Sequence, residues 1–108
     1  MDEDVKLILG KRLREIRKSK KMTLEDLGVA IGLEESSAST RISRYETGVH
    51  SIEINTAERI AKVLNVPLSF FYAPTDDLAE LNRIFYNLDQ AKKAELLSFA
   101  KQLEKIIN

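Results

Sequence analysis

Leu33-Glu34-Glu35-Ser36-Ser37-Ala38-Ser39-Thr40-Arg41-Ile42-Ser43-Arg44-Tyr45-Glu46-Thr47-Gly48 is the part of the chain around which everything else can be arranged. Its acidic, serine-rich start offers N-cap groups, with Ser36 and Ser37 able to cap, and Thr47-Gly48 supplies a stop. A helix over Ser37–Glu46 is therefore expected. At about 100° per residue, Ala38, Ile42 and Tyr45 gather on one side of that helix. Ser37, Thr40 and Arg44 lie roughly opposite, with Ser36 and Ser43 on one flank and Arg41 on the other. No large apolar side chain interrupts the outer face.

Upstream, Thr23-Leu24-Glu25-Asp26 resembles a capping box and opens a helix through Leu27, Ala30 and Ile31 that Gly32 ends. Before it, Leu7, Ile8, Leu13, Ile16 and Arg17 describe a first helix from about Asp4 to Lys20, with Lys and Arg on its outer face. Downstream, Asn55-Thr56-Ala57-Glu58 is a further capping signal and starts a fourth helix carrying Ala57, Ile60, Ala61, Val63 and Leu64. Asn65-Val66-Pro67 breaks the chain, and Leu68–Tyr72 is a short apolar element of one or two helical turns. Phe70, Phe71 and Tyr72 are expected to plug the core rather than to stack on bases.

Ala73-Pro74-Thr75 is the clearest boundary. Two helices follow it, Asp76–Asn87 and a longer one from an Asp89 N-cap to the C-terminus. Leu96, Phe99, Ala100, Leu103, Ile106 and Ile107 recur on the last helix at three- and four-residue steps. Phe85 and Tyr86 suit either a core or an interface. Nothing alternates with period two, so the chain reads as all-α, with one domain over 1–74 and a two-helix extension over 75–108.

Composition narrows the chemistry. There is no cysteine and a single histidine, His50, which removes thiolate nucleophiles, cysteine-ligated zinc and paired-imidazole sites. No constellation of nucleophile, base and metal ligands remains, so neither an enzyme nor a cofactor is expected. Glu34-Glu35 and Asp76-Asp77 invite a metal, but both pairs sit where helices begin and where acids favour the macrodipole. No apolar run approaches a membrane span, and the acidic start Met1-Asp2-Glu3-Asp4 is the wrong charge for a signal peptide, so a cytoplasmic location is expected.

Seventeen basic and seventeen acidic residues give zero net charge, which by itself argues against a nucleic-acid binder. The distribution is uneven, however: Lys6, Lys11, Arg12, Arg14, Arg17, Lys18, Lys20 and Lys21 crowd between Val5 and Leu24 against Glu15 alone. Charge by itself still favours the solvated face of an amphipathic helix. Two consecutive helices with a tight break, the second rich in serine, threonine and arginine, are what a helix-turn-helix requires. Short hydroxyl side chains allow close approach to a groove, and arginine can grip guanine O6 and N7 together. Seen alone, the third helix fits an ordinary amphipathic surface helix equally well.

Several spaced motifs add to this. Leu9-Gly10-Lys11-Arg12-Leu13-Arg14-Glu15-Ile16-Arg17, Met22-Thr23-Leu24-Glu25-Asp26-Leu27, Ile31-Gly32-Leu33 and Ile42-Ser43-Arg44-Tyr45-Glu46-Thr47-Gly48 closely resemble the Cro/lambda-repressor (XRE-like) helix-turn-helix family. Ala57, Ile60-Ala61, Leu64-Asn65-Val66 and Phe70-Phe71 match its fourth and fifth helices, so the resemblance runs from about Leu7 to Tyr72. It implies a five-helix lambda-repressor-like domain followed by the two extra helices. One departure stands out: Glu34 to Arg41 separate Leu33 from Ile42 where the family has about four residues, a surplus close to one helical turn. A recognition helix extended at its N-terminus accommodates it. The insertion leaves the base contacts of Ser36–Ser39 open.

The resemblance implies roles residue by residue. Ser39, Thr40 and Arg44 match base-reading positions, with Ser36, Ser37, Arg41 and Ser43 around them. Thr23 matches a helix cap that touches a backbone phosphate, with Lys11, Arg14 and Lys18 as further phosphate candidates. The loop His50–Asn55 matches a phosphate-holding stretch but lacks its usual basic residue, leaving His50, Ser51 and Asn55. Arg17 and Glu46 match a buried ion pair of structural role.

Binding as a homodimer to a palindromic operator in double-stranded DNA is therefore expected, with Leu96, Phe99, Leu103, Ile106 and Ile107 as the seam. The serine-rich pattern, Tyr72-Ala73-Pro74 and the two trailing helices are similar to one branch of restriction–modification controller proteins. That likeness implies autoregulation and RNA polymerase as a further partner. The competing expectation is a protein-interaction or antitoxin-like module with the same fold and little DNA reading, motivated by zero net charge and the apolar last helix.

Overall fold

A computed structural model describes residues 4–107, the side chain of Ile107 excepted. Met1, Asp2 and Glu3 of the acidic start lie outside the described residues. The described residues form seven helices and no strand: α1 (Val5–Ser19), α2 (Leu24–Ala30), α3 (Glu35–Glu46), α4 (Ile54–Leu64), α5 (Leu68–Tyr72), α6 (Asp76–Asn87) and α7 (Gln90–Ile107).

Local chemistry sets the helix ends, in part differently from the expectation. Thr23 and Asp26 do form the capping box at the start of α2, each side chain accepting from the other's backbone N–H at 2.9 and 3.0 Å. Asp4 caps α1, and Asp89 accepts from Lys92 N at the start of α7. Helix α3, in contrast, is not capped by Ser36 or Ser37. Its N-cap is Glu34, without a side-chain bond, and the two serines lie inside the first turn, where Ser37 Oγ donates to the Glu34 carbonyl at 3.4 Å. The surplus residues thus extend α3 at its N-terminus. Helix α4 starts before Asn55, because the Glu53 carboxylate accepts from Thr56 N. Helix α6 is capped by Thr75 rather than Asp76. Asn65, at φ 58°, closes α4 in the left-handed region that asparagine tolerates.

The core gathers Leu9, Leu13 and Ile16 of α1, Leu27 and Ile31 at α2, Ile42 and Tyr45 of α3, Ile60, Ala61 and Leu64 of α4, and Phe70 and Phe71 of α5. Leu13, Leu27, Ile42, Ile60 and Leu64 are fully buried, each worth about 1.5–3 kcal/mol relative to exposure. Phe70 and Phe71 plug this core as expected, but Tyr72 does not: it is exposed. Two glycines permit close crossings. A Cβ on Gly28 would lie 2.5 Å from Ala38 Cβ, so α2 and α3 meet nearly backbone to backbone. A Cβ on Gly10 would meet the Tyr45 carbonyl at 2.7 Å, which brings α1 against the end of α3.

Arg12 corrects the picture of α1. It is not part of the outer basic face but only 4% exposed. Its Nη1 donates to the carbonyls of Phe71 and Ala73 at the end of α5, and Nη2 reaches Asp76 at 3.4 Å. The guanidinium thus satisfies carbonyls that the short helix leaves without partners.

The last two helices contribute little to the core. Helix α6 buries only Ala79, and none of the described α7 side chains is buried. Phe99 is 57% and Ile106 79% exposed, and Leu81, Tyr86, Leu97 and Leu103 are exposed as well.

Candidate nucleic-acid interface

Helix α3 is held from beneath. Ala38, Ile42 and Tyr45 are buried, while Ser36, Ser37, Ser39, Thr40, Arg41 and Arg44 are exposed and Ser43 is half-buried. The amphipathic division read from the sequence is therefore the division in the fold. Two helices fix its tilt: α2 lies across it at the Gly28–Ala38 contact, and α1 meets its C-terminal end. At that end Arg17 Nε donates to Glu46 Oε2 at 2.5 Å and Nη2 to Oε1 at 3.1 Å. The remaining nitrogen, Nη1, donates to the Met22 carbonyl at 2.8 Å. All three guanidinium nitrogens are thus used, and the pair ties α1, the α1–α2 turn and α3 together.

The neighbouring candidates distribute around α3. Thr23 is exposed at the N-terminus of α2 with its hydroxyl committed to the capping box. The hydrogen bonds from Thr23, backbone first and hydroxyl second, hold the Asp26 carboxyl below the usual aspartate range, so it stays ionised at the positive end of α2. His50 N donates to the Arg44 carbonyl at 3.2 Å, which folds the loop after Gly48 back onto the end of α3. His50, Ser51 and Asn55 are all exposed along that loop and the start of α4. His50 and Ser51 also border a shallow cleft with Lys6, Leu9 and Tyr72.

Among the cations of α1, Lys11, Arg14 and Lys18 are exposed. Arg14 lies about 40° round the helix from Gly10, the residue in contact with α3. Lys11 instead lines a small cleft with Pro74, Thr75 and Asp76, placing it beside the start of α6 rather than beside α3. The ion pairs among the described residues are Arg12–Asp76, Arg17–Glu46 and Arg83–Glu80. Arg14, Lys18, Arg41 and Arg44 take no part in them. Exposed, uncommitted guanidinium and ammonium groups beside a short-side-chain face can hold an extended anion while hydroxyls and arginine forks read flat polar edges.

Among the described residues no three or more His, Asp or Glu side chains gather where they could hold a metal ion, and no described helix is long and apolar enough to cross a membrane. The acidic pairs take the places expected of them: Glu34 and Glu35 start α3, and Asp76 and Asp77 form the first turn of α6. Three features escaped the sequence reading. Arg12 shares a helix face with Leu9, Leu13 and Ile16, and this spacing was the available sign of its burial. Gly10 and Gly28 stand inside helices, where a glycine signals a close approach. The Asn65–Asn87 hydrogen bond, across 22 positions, left no sign.

Comparison with known proteins agrees with this arrangement. The profile of the Helix-turn-helix family matches residues 13–71. The chain is 30% identical over 106 residues to an uncharacterized HTH-type transcriptional regulator of Sinorhizobium medicae (strain WSM419), covering 91% of this chain and 73% of that protein. A regulator of the same description from Rhizobium meliloti (strain 1021) is similar to the same degree. Among solved structures, the crystal structure of transcriptional regulator BswR superposes with a TM-score of 0.82 at 39% identity, over 86% of this chain and 92% of that one.

Proposed function

The chain belongs to the helix-turn-helix family of DNA-binding, non-enzymatic transcriptional regulators, and from that premise we propose that it reads a two-fold symmetric operator as a homodimer. The observation that carries the reading is the outer face of α3. Thr40, Arg41 and Arg44 stand exposed and free of internal ion pairs directly above the buried Ala38–Ile42–Tyr45 stripe. Arg44 and Arg41 read guanine edges in the major groove, and Thr40 with Ser36, Ser37, Ser39 and Ser43 makes the close-range contacts. Arg14 and Lys18, with the α2 N-terminus at Thr23, hold phosphate on one side of the groove. The loop carrying His50, Ser51 and Asn55 holds it on the other; Lys11 contributes least. Phosphate contacts position the helix and base contacts specify the sequence.

Residues 75–108 act as the dimerisation extension over the 1–74 reading domain. The exposed apolar side chains of α6 and α7, including Phe99, Leu103 and Ile106, support this, because so much exposed apolar surface on a small chain marks an interaction site. Leu96 is half-buried at the edge of the same face, and Ile107 lies outside the described side chains. A two-fold dimer presents two α3 helices to half-sites about one helical turn (~34–36 Å) apart. An operator at the chain's own promoter, beside RNA polymerase in the cytoplasm, would make it autoregulatory, as the likeness to restriction–modification controllers implies.

The apolar α7 face also fits a second reading, in which it docks a different protein and DNA reading is weak. Two experiments separate them. In competition, the operator selected from a random pool should outcompete a scrambled duplex of equal composition; equal affinity contradicts DNA reading. A chain ending at Pro74 should sediment as a monomer and bind operator more weakly; an unchanged dimer contradicts the seam.

A further inference from the structure

Helix α6 is joined to the reading domain at three points along its length. At its start, Arg12, itself anchored on the Phe71 and Ala73 carbonyls, reaches Asp76 Oδ1 at 3.4 Å. In its first half, Ala79 is buried in the same core as Phe70. At its end, Asn65 Nδ2 donates to Asn87 Oδ1 at 2.8 Å, while Asn87 Nδ2 donates back to the Asn65 carbonyl at 3.4 Å. Asn65 is the left-handed residue that closes α4, so one residue ends α4 through its backbone and grips α6 through its side chain. Between these points a polar cleft lined by Glu15, Ser19, Lys20 and Arg83 separates α6 from α1. Beyond its packing against α5, the attachment of α6 therefore depends on its ends.

From α6 the orientation passes on. Only Leu88, with extended backbone, and the N-cap Asp89 stand between α6 and α7. In the other direction, α1 carries Arg12 toward α6 and Arg17 toward Glu46 of α3. Single connections thus run from α3 through Arg17–Glu46 to α1, through Arg12–Asp76 to α6, and through the two-residue link and Lys93 over the Phe85 ring to α7.

We propose that α6 is a strut that fixes the separation and twist between α3 and α7, and that its end clamps, Asp76 and Asn87, set which half-site spacing the dimer accepts. The inference rests on the reading of α6–α7 as the seam of a DNA-binding dimer. Moving one half-site by one base pair displaces it by about 3.4 Å and rotates it by about 35°. A rigid strut cannot follow, so the DNA must deform or one half-site must be released. Asp76 and Asn87 touch no base. They are positioning residues for operator architecture.

The test uses the full chain, as wild type, Asn87→Ala, and the double variant Asp76→Ala/Asn87→Ala, both substitutions being at exposed positions outside α3. Binding is measured on the selected operator and on versions with one central base pair added or removed, with dimerisation followed by sedimentation. Wild type should lose about tenfold in affinity on the altered spacings. The double variant should lose less than about threefold, and Asn87→Ala should fall between, with discrimination against a mutated half-site and the dimerisation constant unchanged. The same spacing profile in wild type and double variant overturns the strut, as does relaxed spacing accompanied by weakened dimerisation. Wild type that ignores operator sequence or spacing overturns both the strut and the dimeric-operator reading beneath it.

Discussion

Arg17 of α1 and Glu46, the last residue of α3, are joined by two hydrogen bonds, Nε to Oε2 at 2.5 Å and Nη2 to Oε1 at 3.1 Å, with both side chains almost wholly buried. A buried bidentate pair fixes an angle as well as a distance, and here the angle is that of the recognition helix. Either partner alone would be a desolvated charge. Arg17→Ala or Glu46→Ala should therefore cost about 3–5 kcal/mol in urea unfolding. Replacing both residues together with Met and Leu should recover most of that loss, because burial without charge carries no such penalty. A single replacement that leaves the unfolding midpoint unchanged would show that the pair holds nothing in place.

The α2–α3 crossing depends on the absence of one side chain. Gly28→Ala places a methyl 2.5 Å from Ala38 Cβ, too close for either helix to keep its place. About 1–3 kcal/mol of stability should be lost, and operator affinity should fall as α3 is displaced. Ala38→Gly in the same chain should restore part of both, and its failure to do so in a double-variant cycle would contradict the contact.

Acid should weaken the helix starts first. Hydrogen bonds from Thr23 to Asp26, and from Thr75 and then Leu78 N to Asp77, hold both carboxyls below the usual aspartate value of about 3.9. A carboxyl whose folded value is lowered contributes its stability above the unfolded value and loses it as pH falls through the folded one. Stability should thus decline below about pH 4, and Asp26→Asn with Asp77→Asn should flatten that decline. Urea midpoints measured between pH 2 and 5, on the order of half a unit apart, would reveal it. Identical slopes in variant and wild type would remove these caps from the account.

Base reading and phosphate holding should separate by mutation. Arg44→Ala should cost about 1–3 kcal/mol on the preferred operator and relax discrimination at one base pair in each half-site. Arg14→Ala or Lys18→Ala should weaken all duplexes alike and lower the salt slope by about one. Binding titrations at several salt concentrations on matched and mutated duplexes distinguish the two patterns.

The sequence was most legible where an interaction is local. The capping box of Thr23 and Asp26 spans three residues, and the Ala38–Ile42–Tyr45 stripe follows from helical periodicity alone. Placement of caps was less secure, since several acceptors competed. Glu53 caps α4 two residues before Asn55, and Glu34 holds the N-cap position of α3 two and three residues before Ser36 and Ser37 without any side-chain bond. Arg12 was misread because arginine is normally solvated. Its place on the face of Leu9, Leu13 and Ile16 is a local sign of burial, but the α5 carbonyls that satisfy the buried guanidinium lie 59 and 61 positions away. The Asn65–Asn87 clamp is of the same kind. Apolar periodicity revealed the α7 stripe, yet periodicity is indifferent to whether a stripe covers its own core or another chain.

On this reading α3 meets DNA in two symmetric copies. Selection of duplexes from a random pool by the purified full chain tests it most directly, because sequence, symmetry and spacing emerge together. An inverted repeat should be enriched, with guanines within each half-site and half-site centres about 10–10.5 base pairs apart or a multiple of that. A pool that stays random after repeated rounds, or that yields a single asymmetric site bound by one chain, would contradict it.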